Sequence, residues 1–310
     1  MNSMPSKFRI PTGSVSEVSG RTSLTLRVVI LLLVAFAFPN EASAQLFSFG
    51  KKKATPPVVF NGMPSQAELL QHIAANSTKF RQLSSDLRIS LDGTPKLRGT
   101  MQLELPRRLR IKAGVMGVSQ FGVDVGSNDQ DFWVWTKVNL PNQKPAIFHA
   151  SHEGFRTAST AVRDAIPLEP VWLLEGLGLI EFNTADQHFG PELTPEGYLR
   201  LYTVRQTANG KNTRVMLVHP QYGTVQQQSL YDHQDQLIAY TDSLDYKSFP
   251  QQGTSLPEKV EMYLFRNGQQ AKMVIETSDY RFDSLYGDPN QMWSLPRPNN
   301  VQSIDLTKPR

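Results

Sequence analysis

Apolar and polar positions first fall into register at residue 65, and the period of that register then changes once. Leu69, Leu70, Ile73 and Ala74 recur at helical spacing. Just before them stands Ser65-Gln66-Ala67-Glu68, where the serine can accept the N3 amide and the glutamate can reach back to the cap. The spacing predicts an amphipathic helix over about 65–76 with one face to bury. From Lys79 onward the period is two. Leu87, Ile89 and Leu91 alternate with Arg88 and Ser90, and Met101, Leu103 and Leu105 with Gln102 and Glu104. After Pro106, Leu109 and Ile111 alternate with Arg108, Arg110 and Lys112. Phe121, Val123 and Val125 lead to a Ser127-Asn128-Asp129 turn and then Phe132-Trp133-Val134-Trp135. Apolar residues on both sides of that last run predict a central strand covered twice.

The second half repeats the style. Residues 199–204, 214–219, 224–231 and 237–246 read as strands. Residues 259–265 and 270–276 form a hairpin across Asn267-Gly268, the pair a type I′ turn prefers. Val260, Met262 and Leu264 share one face of its first strand, and Ala271, Met273 and Ile275 one face of its second. About ten strands with short antiparallel connections are more than a flat sheet carries without curling. The expected fold is α+β and β-rich: a curved antiparallel half-barrel, an unclosed sheet of about ten strands. Leu168 to Leu179 is apolar nearly all round, so it must be buried or cover something apolar. With the Ser65 helix it is expected to cover the concave face as a lid.

Upstream, Val28 to Phe38 are eleven consecutive apolar residues, preceded by Lys7, Arg9, Arg21 and Arg27 and followed by Ala42-Ser43-Ala44. That three-part pattern predicts a signal peptide over 1–44, cleaved after Ala44, and hence a periplasmic protein. Eleven residues fall short of the ~20 that span a bilayer, though the basic leader keeps an uncleaved anchor as the alternative. Residues 45–63 read as a linker, 64–296 as the folded domain and 297–310 as a flexible tail.

Composition narrows the chemistry. Cys 0 removes disulfide scaffolds, thiolate metal sites, cysteine nucleophiles and lipid attachment through cysteine. A net charge of +4, from 32 basic and 28 acidic residues, argues against a nucleic-acid partner. Gly117-Val118-Ser119-Gln120-Phe121 has Phe where a nucleophile elbow needs its second glycine. His152-Glu153 opens like a zinc-protease motif, but Arg156 stands in the place of the second histidine. His149 and His152 have no carboxylate at a recognisable metal-ligand spacing. The expectation is a protein that is not an enzyme and uses no cofactor or metal.

Two features remain. Arg108, Arg110 and Lys112 form a basic stripe, read as a solvated outer face or, as a second reading, a docking strip for acidic head groups. The other is a surplus of large apolar side chains. Leu103, Leu105, Trp133, Trp135, Trp172, Leu173, Leu177, Val260, Met262, Leu264, Met273 and Ile275 are the candidate lining of an apolar cavity, the alternative being ordinary core. Each acyl CH₂ buried there would gain ~0.8 kcal/mol without polar recognition.

The segments Lys79-Phe80-Arg81-Gln82-Leu83, Gly99-Thr100-Met101-Gln102-Leu103-Glu104-Leu105-Pro106-Arg107-Arg108-Leu109-Arg110 and Gly126-Ser127-Asn128-Asp129-Gln130-Asp131-Phe132-Trp133-Val134-Trp135 form a recognisable series. With Leu230-Tyr231-Asp232-His233-Gln234-Asp235-Gln236-Leu237 and Leu256-Pro257-Glu258-Lys259-Val260, the chain resembles the bacterial lipoprotein-carrier superfamily of LolA and LolB over roughly residues 65–296. The resemblance implies a half-barrel whose lidded concave face takes acyl chains and which shuttles lipoproteins across a two-membrane envelope. The partners it implies are an acylated lipoprotein or lipid, with docking to a membrane or envelope protein left open, for a monomeric protein. Without cysteine the chain departs from the membrane-attached member. An envelope sensor or scaffold that recognises a protein stays open as the alternative.

Overall fold

The computed structural model describes residues 55–91, 95–136, 145–158, 171–207, 210–266 and 269–308. The expected signal peptide, residues 45–54 of the linker, the Asn267-Gly268 turn and the start of the 168–179 helix lie outside the described residues. Ser65 caps α1 (Gln66–Ala75), and both halves of the capping box are made. Six strands follow: β1 (Gln82–Leu91), β2 (Leu97–Glu104), β3 (Arg108–Val115), β4 (Val118–Ser127), β5 (Asp131–Thr136) and β6 (Ala146–Ser151). Two short helices come next, α2 (His152–Thr157) and α3 (Val171–Gly176). The second strand set is β7 (Gln187–Leu193), β8 (Leu199–Thr207), β9 (Gly210–Val218), β10 (Val225–Tyr231), β11 (Leu237–Phe249), β12 (Thr254–Arg266) and β13 (Gln269–Phe282). The chain ends with α4 (Pro289–Met292) and β14 (Gln302–Asp305).

All fourteen described strands join one unclosed, curved sheet in the order β14-β6-β5-β4-β3-β2-β1-β13-β12-β11-β10-β9-β8-β7. Two meanders are therefore stitched where β1 meets β13, with Ile89 opposite Ile275 and Leu87 opposite Thr277. The expected ten strands become fourteen because β6, β7 and β14 carry little alternation to read. β7, Gln187-His188-Phe189-Gly190-Pro191-Glu192-Leu193, is interrupted by glycine and proline, which weaken a strand signal. Nor is the sheet wholly antiparallel: β14 runs parallel to β6, with Gln302 opposite Ala146 and Asp305 opposite His149. Part of the tail expected to be flexible is thus an edge strand, and Leu306 beyond it is buried with Phe132, Phe148 and Phe155.

Side chains directly opposite on paired strands share a face, so the register traces each side of the sheet. One side runs through Leu201, Met216, Gln228, Thr241, Met262 and Met273 in the second meander. It continues through Leu103, Leu109, Ser127 and Phe132 in the first. Helix α1 buries Leu69 and Ile73 on this side against Leu199, Leu201, Met216, Val218 and Val225. Helix α3 sets Trp172 and Leu174 into the main cluster with Leu83, Met101, Leu103, Leu109, Val260 and Met262. This helix-bearing side is termed the inner face.

Candidate functional site

The inner face is not uniform along the strands. At one end an aromatic group closes it: Phe80 packs edge-on to Phe282 at 5.1 Å, and Phe249 meets Phe282 at 4.9 Å and Tyr280 at 5.4 Å. The Tyr280 hydroxyl donates to Pro257 O at 2.6 Å, so the ring carries its polar tip satisfied. Burial pushes the phenols of Tyr280 and of neighbouring Tyr246 well above the ordinary tyrosine range.

The opposite end is where β1 leads toward β2, β3 toward β4, β10 toward β11 and β12 toward β13, and several apolar side chains there are only half buried while Ile89, Leu97 and Ala239 are buried. Leu91, Val115, Leu173, Leu230, Leu264 and Met273 all pack on the central cluster yet keep part of their surface exposed. Met116, at the tip of the β3–β4 hairpin, is 73% exposed. The result is an apolar trough lined by half-buried side chains at its aromatic end, Phe249, Tyr280 and Phe282, as well as at its hairpin end.

Helix α3 packs on this face through polar contacts as well as apolar ones. Both Glu175 carboxylate oxygens lie 2.6 Å from Arg214 Nη2. Gln228 Nε2 donates to Glu175 O at 2.6 Å, and Ser243 Oγ to Gly176 O at 3.0 Å. Those carbonyls belong to the last turn of a short helix, where intrahelical donors run out, so the sheet supplies them. A Cβ at Gly176 would meet Met262 Cε at 2.4 Å, which explains how closely the helix approaches β12.

The twelve candidate lining residues divide. Leu103, Trp172, Leu177, Val260, Met262 and Ile275 are buried in the main cluster, with Leu105, Leu173, Leu264 and Met273 packed against it. Trp133 and Trp135 are on the other face: Trp133 is opposite Gly126, which is opposite Arg110, while Phe132 and Val134 point inward. In a strand with apolar residues on both sides, alternation does not say which side meets the lid.

That outer face corrects the reading of the basic stripe as well. Arg110 is 5% exposed and its Nε is 2.6 Å from Asp124 Oδ1. Its guanidinium lies 4.9 Å over the Trp133 ring, and Trp133 Nε1 donates to Asp124 Oδ1 at 3.4 Å. The chain after β13 covers this group. Asp283 N donates to Gln82 O at 2.8 Å and Tyr286 N to the Gln102 side chain at 2.6 Å. Arg110 then donates to Met292 O at 2.8 Å and Ser294 O at 3.0 Å, and Asn128 to Trp293 O at 2.9 Å. Residues 283–306 thereby run across the outside of the sheet from β13 to β6. Arg108, by contrast, pairs with Asp129 near the surface, and Lys112 is exposed.

Histidines add little chemistry. His149 lies in β6 and His152 begins α2, so the two do not share a helix. His152 Nε2 is 3.3 Å from Ser127 Oγ, but Ser127 is fully buried and beyond the reach of a substrate. Among the described residues no group of three or more His, Asp or Glu gathers as a metal site. The Glu175–Arg214 contact escapes a reading by motif. Its traces were a lone acid inside an apolar helix and an arginine at an inward position in step with Met216 and Val218.

No protein-family model matches the sequence, and no curated protein matches it either. Among solved structures the chain is similar to a domain from Vibrio parahaemolyticus assigned to outer membrane lipoprotein sorting. There the TM-score is 0.48 and the identity 12%, over 73% of this chain and 94% of that one. It is similar to a LolA superfamily protein from Nitrosomonas europaea at TM-score 0.44 and 14% identity, over 73% and 97%. A family protein of unassigned function from Desulfovibrio piger gives TM-score 0.46 and 15% identity, over 73% and 95%.

Proposed function

We propose that the protein is an exported, non-enzymatic carrier of the cell envelope that holds the acyl chains of a lipoprotein or another lipid in the trough. The observation that supports this most directly is the half burial of large apolar side chains at both ends of the inner face, Leu230, Leu264 and Met273 at the hairpin end and Phe249 and Phe282 at the other. Large apolar side chains kept partly wet are a cost unless something covers them. In this reading α1 and α3 cover the concave face, and a hydrocarbon chain enters at the hairpin end along Leu230, Leu264 and Met273. Methionines at the Met262–Met273 pair suit a ligand of variable shape. Trp133 and Trp135 take no part in this binding face.

The test is titration with an uncharged fluorescent acyl probe, together with mass spectrometry of lipids that co-purify from the native envelope. Binding at micromolar concentration, weakened by Leu264→Asp or Met273→Asp and unaffected by exposed Lys112→Asp, supports the carrier. A protein that binds no acyl probe and retains no lipid, but captures a partner after detergent stripping, would instead be the envelope sensor or scaffold.

A further inference from the structure

The wall of the trough contains a buried cation, and the lid supplies its counter-ion. Arg214 is 7% exposed, in the same inward row as Leu230, Ala239 and Leu264. One of its nitrogens meets both Glu175 oxygens, while its Nε has no hydrogen-bond partner. Two further inward groups are likewise unsatisfied: Gln228 Oε1, on a residue 2% exposed, and Thr241 Oγ1, on a residue fully buried. The neighbouring β10 and β11 thus hold spare polar capacity around a guanidinium that has not spent all of its own donors.

We infer that Arg214, with Gln228 on the adjacent strand and Thr241 on the strand beyond it, is a receptor for the anionic head group of a single-chain amphiphile, a carboxylate or a phosphate, and that Glu175 occupies it in the ligand's absence. This rests on the acyl-binding reading and narrows its ligand class. The physical reason is the fate of the charge when α3 lifts. A guanidinium left unpaired on an apolar face is strongly unfavourable, so hydrocarbon alone has no means of displacing the helix and is confined to the half-buried rim at Leu230, Leu264 and Met273. An anion that takes over the carboxylate's place does, because it restores a charge-assisted pair. Strands are spaced about 4.8 Å apart, which sets Leu264, three strands from Arg214, within about 15 Å. An acyl tail anchored at Arg214 therefore reaches the half-buried rim.

The experiment is displacement of the uncharged fluorescent probe by three competitors of equal chain length: a fatty acid, a lysophosphatidic acid and a monoacylglycerol. The two anionic competitors should act at least about tenfold below the concentration the neutral one needs, and whichever of them is stronger identifies carboxylate or phosphate. Glu175→Gln should tighten the anionic competitors about tenfold further and leave the neutral one unchanged. Arg214→Gln alone buries an unpaired carboxylate, so the neutral pair Arg214→Gln with Glu175→Gln is the control for folding. In that double variant all three competitors should act alike. Equal competition in the unmodified protein and in Glu175→Gln would overturn the head-group receptor while leaving the acyl trough standing. Failure of the probe to bind any variant would overturn both.

Discussion

Arg110 and Asp124 form an ion pair at 2.6 Å whose side chains are 5% and 3% exposed, on the face of the sheet turned away from α1 and α3. Burying two charges is costly unless their attraction and further hydrogen bonds offset the lost hydration. Here the guanidinium also satisfies two carbonyls of the crossing segment, at Met292 and Ser294. Asp124→Ala should therefore destabilise the protein by ~3–5 kcal/mol, because it strands the arginine rather than merely deleting a contact. Urea unfolding measures it. Arg110→Met combined with Asp124→Leu should recover most of the loss.

Trp293, within the same segment, is 8% exposed. Trp293→Ala should cost ~3–5 kcal/mol in a melt or denaturant titration, the range for deleting a buried large aromatic. Affinity for an acyl probe should hold at temperatures where the variant remains folded, since Trp293 lies on the outer side. A loss of binding without a loss of stability would contradict the division of the two faces.

Gly126 makes room for an indole. A Cβ there would stand 2.0 Å from Trp133 Cζ2, well inside contact distance. Gly126→Val should displace Trp133 from under Arg110 and lower stability by ~1–3 kcal/mol, as overpacking does. Red-shifted tryptophan emission would report the displacement. Gly99→Ala should be worse, because the clash is with backbone, Lys112 O at 1.8 Å, which cannot rotate away.

Burial holds His72, His188 and His219 below the usual histidine value. Their unfolded value is about 6.5, so above that pH both states are neutral and the full stability is present. As pH falls through 6.5 toward the lower folded values, the unfolded chain takes up protons first and stability is lost. The melting temperature should drop between pH 7.5 and 5.5, and His72→Gln should flatten that slope. His72 packs at 5.3 Å on Phe60 and against Gly223, so burial outweighs the support its charged form gets from the Tyr222 backbone.

Much of the architecture could be read from periodicity because half-buried strands keep strict alternation. The Ser65 capping box, the Leu87–Leu91 and Met101–Leu103 faces and the β12–β13 pairing all appear where spacing placed them. What escaped follows from what a periodicity reading cannot see. The inward and outward sides of Phe132-Trp133-Val134-Trp135 look alike in sequence, since both are apolar, and only pairing to Gly126 and Arg110 separates them. Arg110 read as solvated because arginine usually is. Its burial depends on Asp124 and on carbonyls 182 and 184 positions away along the chain, contacts that no local pattern signals. β14 was missed because Gln302-Ser303-Ile304-Asp305 has neither length nor alternation.

The crossing from Asp283 to Leu306 has a consequence for biosynthesis. These residues leave the ribosome some hundred and fifty positions after the strands they roof. The first meander therefore waits, its tryptophan floor wet and its β6 margin unpaired, until the crossing segment has been made. A nascent chain stays pliable for as long as that lasts, and a premature stop between Asp283 and Leu306 would release a product that never seals.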